Sequence, residues 1–179
     1  MFKLIPNFTI IKVIVFAIAF GFVEAAVVVY LRHLLGIGFT PPHIERSEIL
    51  FLTPGIAFLE PQTAVKIIQD TTLLNIERLR EAATLLMLAA MAVIAGKKIG
   101  EKIAFFFLSF GIWDIFYYIF LKLAIGWPKS FFDLDIFFLL PAPWVGPVLV
   151  PIIISLILIV GSLFYLLRKE KTSIDTSAH

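Results

Sequence analysis

Cysteine is absent from the chain. That excludes disulfides, thiolate metal centres, haem attachment through cysteine and thiol catalysis. Charge is scarce as well: Asp, Glu, Lys and Arg make up 16% of the 179 residues, against about a quarter in a water-soluble domain. The formal charge is only +2, too little basic surface for a nucleic-acid partner. The sequence contains no HExxH, ExxH or DxDxG pattern, no Walker A loop and no dinucleotide fingerprint, and nothing in it recommends a Ser, His and Asp triad. What fills the space is apolar. Hydrophobic residues reach 60%, and Phe alone occurs 19 times. So much apolar surface excludes disorder and points to a chain that resides in a bilayer.

Hydropathy and charge spacing predict an all-α fold: a single membrane domain over 1–179, built as a polytopic helical bundle. Spans fall near 10–31, 76–96, 103–125 and 145–167. The stretch from Val13 to Leu31 is interrupted by one charge, Glu24. At 1.5 Å per residue it covers about 28 Å, close to the hydrocarbon thickness of a bilayer. It is too long for a signal-peptide core, so it reads as a retained span. The third span carries one charge, Asp114. The second is apolar only from Ala82 to Gly96, so its extra turn must come from the charged string Ile76 to Glu81. Pro141, Pro143, Pro147 and Pro151 crowd the start of the fourth, so its regular helix begins near Trp144 or later. Pro147 and Pro151, four apart, would free backbone carbonyls if a helix ran through both.

The outer-side region 32–75 holds Gly36, Gly38, Pro41, Pro42, Pro54 and Gly55, which break any long helix. From Pro61 an apolar stripe predicts an interfacial helix that runs on into the second span. The outer connection 126–144 is too apolar for a wet loop and too broken for a span, so a short re-entrant or interfacial segment is expected. Lys3 and Lys12, then Lys97, Lys98 and Lys102, then Arg168, Lys169 and Lys171 all fall on one side of a four-span chain. The positive-inside rule makes that side the cytoplasm, with both termini there and the protein multi-pass in the cell membrane.

Ionisable groups inside spans mark the expected site. Glu24 sits beside a ridge of small residues, Ala17, Gly21 and Ala25, that turns it into the bundle. A carboxylate there serves either a proton, ion or substrate, or a hydrogen bond that orients the bundle. Asp114 has Tyr117 and Tyr118 three and four residues on, which gives either a proton relay or a satisfied polar cluster. Arg78 and Glu81 share a face at the start of the second span. They read either as snorkelling side chains or as partners reaching inward. The expected intramembrane polar site is therefore Glu24, Asp114, Glu81, Arg78, Tyr117 and Tyr118, with Arg80 and Arg32 at compatible depth. Carboxylates with His33 and His43 would suit a hard or borderline divalent ion, but no ligand spacing supports one. Catalytic residues, cofactor and metal are not assigned by any pattern, and enzyme activity is left open.

The segments GFVEAAVVVYLR at Gly21 to Arg32 and DLDIFFLLPAPWVGPVLVP at Asp133 to Pro151 resemble small, uncharacterised prokaryotic integral membrane proteins. The resemblance implies membrane residence and no activity. The expected partner is the lipid bilayer, joined by a membrane protein if the alternative reading holds, and no nucleic acid. The first functional reading is a buried carboxylate, arginine and tyrosine site that opens to the non-cytoplasmic side. It would handle a proton, cation, lipid headgroup or small polar solute, by transport or membrane enzymology. The alternative is a non-catalytic accessory subunit or assembly factor, with the charges paired internally or with that partner.

Overall fold

The computed structural model describes residues 5–36, 38, 41 and 43–175, with side chains from Phe8 to Arg168. Lys3, Pro42 and the side chains of Lys169 and Lys171, named above, lie outside the described residues. The elements in chain order are α1 (Ile5–Leu35), β1 (Ile49–Thr53), β2 (Ile56–Leu59), α2 (Ala64–Ile67), α3 (Thr71–Ala95), α4 (Ile99–Ile125), β3 (Leu134–Phe138), β4 (Trp144–Pro147) and α5 (Leu149–Asp175).

Helix α4 is the hub: α1, α3 and α5 each pack along it. Glycine sets the approach on two of its sides. A Cβ on Gly21 of α1 would stand 2.9 Å from the Trp113 carbonyl, and one on Gly111 of α4 would stand 2.8 Å from the Ser155 carbonyl of α5. Such close backbone approach gives the helices extensive van der Waals contact. Ala17 and Ala25 of the expected ridge are buried with Gly21 between them. Away from the contacts the surface is apolar. Val15, Leu86, Ile94, Leu123, Val160 and Phe164 are all more than half exposed.

The two ends of the bundle differ. At one end Ile10, Ala92, Ala104 and Leu166 share a core, around the α3–α4 turn. There the Glu101 carboxylate accepts the backbone N–H groups of Lys97 and Lys98 and caps α4. At the other end the chain builds a four-stranded antiparallel sheet, in the order β1-β2-β4-β3. This overturns the all-α expectation: the fold is mixed α/β. The region read as a helix-breaking loop is a hairpin that turns at Pro54-Gly55, with Gly55 at φ +90°. Pro at the first central position and Gly at the second suit a tight turn. The segment read as re-entrant or interfacial is the β3–β4 hairpin. Asp133 shapes its approach, accepting N–H bonds from Lys129 and Ser130 at 2.7 and 3.2 Å. Ala57 pairs with Val145 and Phe58 with Trp144, which joins the two hairpins into one cap.

Three boundaries move with the sheet. The interfacial helix does not run into the second span. A 3-10 turn at Pro61–Thr63 and the short α2 end at Ile68, where the backbone is extended. Helix α3 then starts afresh at Thr71, because the Asp70 carboxylate accepts the N–H groups of Thr72 and Leu73 at 2.8 and 3.1 Å. No helix passes through both prolines of the fourth span. Pro147 ends β4, and Pro151 lies in the first turn of α5, where its missing N–H costs nothing.

Candidate functional site

Under the sheet lies a cavity of about 390 Å³, walled by α1, α3, α4 and α5. Five carboxylates line it, Glu24, Glu77, Glu81, Asp114 and Asp135, against three cations, Arg32, Lys66 and Arg80. Helix periodicity explains how α3 delivers its share. Glu77, Glu81, Thr84, Leu88 and Ala92 recur at spacings of three and four and are all buried. Leu79, Leu86 and Ile94 turn outward and are at least 70% exposed. The helix thus carries its charge inside and its apolar face outside, the reverse of a helix on a water-soluble protein.

The charges fall into two groups. On the α1–α3 side, the Arg80 guanidinium donates to Glu24, and its Nε reaches Glu77 at 2.9 Å. The Thr84 hydroxyl adds a bond to Glu24 at 3.3 Å. Where α1 meets the sheet, Arg32 donates to Asp135 at 3.1 Å and the Tyr118 hydroxyl donates to the same carboxylate at 3.0 Å. Burial pushes the Asp135 carboxyl above its ordinary value, while the Arg32 charge and the Tyr118 hydroxyl pull it back. On the α4–α5 side, Asp114 accepts a bond from the Ser155 hydroxyl at 2.8 Å and pairs with no cation among the described residues. Glu81, across the cavity, is held by the Leu139 backbone N–H, 2.9 and 3.0 Å from its two oxygens. The indole N–H groups of Trp113 and Trp144 are buried without an acceptor among the described residues.

Of the residues expected from the sequence, Glu24, Glu81, Asp114, Tyr117 and Tyr118 line this cavity. Arg78 does not: its guanidinium donates to the Pro61 carbonyl at 3.3 Å, on another face of α3. Arg80 takes the role instead. It lies three residues from Glu77, on the side that meets Glu24 of α1, whereas Arg78, as close to Glu81 by spacing, lies on the side that meets Pro61. Of the phenols that neighbour Asp114 in sequence, Tyr118 turns to Asp135, and Asp114 takes its bond from Ser155. His33 and His43 are exposed and outside the cavity lining. Among the described residues, no three His, Asp or Glu groups come together to hold a metal ion.

Asp135, Ser155, Thr84 and Glu77 stood outside the expected site. Asp135 had a signal, a carboxylate in an otherwise apolar run, Leu134 to Leu140. So had Ser155, one hydroxyl in the run Ile152 to Val160.

No family model matches the chain, no curated protein matches it at a significant level, and no solved structure does so either. The reading of the site therefore rests on its geometry.

Proposed function

We propose that this chain is a four-span membrane protein with both termini in the cytoplasm. Its cavity receives a small solute from the non-cytoplasmic side, beneath the sheet. Three helices, over Phe8–Leu35, Ile99–Ile125 and Leu149–Arg168, are long and apolar enough to cross a membrane. Counting α3 as the fourth span is supported by its arrangement of inward charge and outward Leu79, Leu86 and Ile94. The orientation is supported by Lys12, Lys97, Lys98, Lys102 and Arg168, which gather at the end of the bundle opposite the sheet.

The observation that carries the solute reading is the cavity itself. A purely structural ion-pair cluster would close on itself. Here about 390 Å³ remains open between groups of both signs, within the range of small-molecule sites. The exposed edge strand favours a second reading, that of an accessory subunit. Leu50, Phe51 and Leu52 of β1 are each at least 60% exposed, a surface that a partner or lipid must cover. Native purification followed by mass spectrometry separates the readings: a stoichiometric protein partner over β1 supports the second.

The cysteine-free chain makes the topology simple to test. A thiol at Glu45→Cys, near the sheet, should react with an impermeant maleimide in intact cells. One at Lys97→Cys should react only after permeabilisation. The reverse pattern, or equal labelling of both, rejects the orientation.

A further inference from the structure

We infer that the cavity binds an amphipathic organic cation, an ammonium group on an apolar body, with Asp114 as its counter-charge and the aromatic face of α4 as its wall. This rests on the solute reading above and names the chemical class.

The charge inventory selects the sign. Every cation that lines the cavity is already engaged: Arg80 by Glu24 and Glu77, Arg32 by Asp135 and the Gly38 carbonyl, Lys66 by Glu48. An anion would have to break one of these pairs. Two of the cavity's carboxylates have no cation among the described residues: Glu81, whose two oxygens share the Leu139 backbone N–H of the sheet, and Asp114, which has less. Asp114 is 8% exposed and has one neutral hydroxyl as its hydrogen-bond donor. A carboxylate at this depth is tolerated only when it is neutral or has a cation beside it. The cavity is too large for a bare metal ion, and no cluster of ligands surrounds Asp114.

The wall selects the kind of cation. Trp113 stacks on Tyr117 with ring centres 6.4 Å apart, and Tyr117 meets Tyr118 edge-on at 4.9 Å. Phe110 lies 5.6 Å from Trp113, and Phe138 descends from the sheet to within 6.4 Å of it. Aromatic faces attract ammonium groups, most strongly where water is excluded. Val28, Ile136 and Ile154 complete an apolar wall that suits a carbon body rather than a hydrated inorganic ion.

The test uses the full chain in detergent or nanodiscs, titrated with benzyltrimethylammonium, benzyl alcohol and benzoate and read by tryptophan fluorescence and calorimetry. The cation should bind at least about tenfold more tightly than the alcohol, and benzoate should not bind. Asp114→Asn still accepts the Ser155 hydrogen bond, so it should fold. It should remove that preference while the alcohol binds as before. Tyr117→Leu should weaken the cation severalfold and serves if the first variant is unstable. Equal affinity for cation and alcohol, or a preference for benzoate, overturns the ligand class but leaves a solute site. Binding of none of the three overturns both readings.

Discussion

The two sides of the cavity treat buried charge in opposite ways. On the α1–α3 side, acid is tied into the fold: Arg80 bridges Glu24 and Glu77, Arg32 holds Asp135, and Glu81 takes the Leu139 backbone N–H, which fastens α3 to the sheet. On the α4–α5 side, Asp114 rests on one serine, in a cavity that Phe110, Trp113 and Tyr117 also line. The first arrangement locks helices and sheet together, because removing either partner strands a charge. The second holds nothing together that a neutral side chain could not. What differs is the demand left over: the paired side is spent on the fold, and the unpaired side is available to a ligand.

The comparison breaks most visibly at Arg80. Arg80→Leu leaves Glu24 and Glu77 without their cation, and we expect a loss of about 3–5 kcal/mol in thermal or denaturant unfolding in detergent. Adding Glu24→Gln should restore part of it. A loss under about 1 kcal/mol would mean that water already reaches the pair, and the contrast between the two sides would vanish. Next comes the link between α1, α4 and the sheet. Asp135→Asn removes the ion pair and should cost about 2–3 kcal/mol, whereas Tyr118→Phe removes one neutral donor and should cost about 1 kcal/mol. Equal costs would show that Arg32 contributes no more than a hydroxyl. Asp114→Asn should change stability by less than about 1 kcal/mol, or raise it, since the amide oxygen still accepts from Ser155 and the charge is gone. A loss of more than about 2 kcal/mol would reveal that Asp114 has an ionic partner within the fold.

The same contrast separates what the sequence made legible from what it hid. Glu24 and Asp114 stood out because ionisable groups inside apolar runs are costly, Glu81 because the second span is too short without its charged turn, and each does line the cavity. Choosing between Arg78 and Arg80 required the face of α3 that meets α4. Spacing alone leaves the two equivalent, Arg78 beside Glu81 and Arg80 beside Glu77. The sheet was missed for a different reason. Period-two alternation appears when one face of a strand is wet. Ile49 to Leu52 and Ile136 to Leu140 are apolar at every position, so they imitate pieces of span. Pro54-Gly55 between two apolar runs is a usable hairpin signal, but taken only as a helix breaker it marks no more than a loop. Asp135 became part of the site only through β3 pairing with β4, a contact with no local trace in the sequence.

The smallest effect is expected at the cap's rim, where charge is paired in water. Lys66 bonds Glu48 there. The bond to Lys66, then the Glu45 N–H, holds the Glu48 carboxyl below its ordinary 4.5, and Glu48 in turn raises the Lys66 ammonium above 10.5. The signs fix the window. A depressed carboxyl contributes stability that is present above its unfolded value and lost as pH falls through the folded one. A raised ammonium contributes stability that is present below its unfolded value and lost as pH rises through the folded one. The pair therefore acts between those limits and fades at both. Water and salt screen an exposed pair, so its contribution is small even at the plateau. Lys66→Ala should match the parent within the scatter of melting curves near neutral pH. Any residual difference should shrink in acid, in strong base and in high salt. A difference that grows as pH falls, or that rivals Arg80→Leu, would place Lys66 among the groups that hold the fold, and the division between paired core and solvated rim would have to be redrawn.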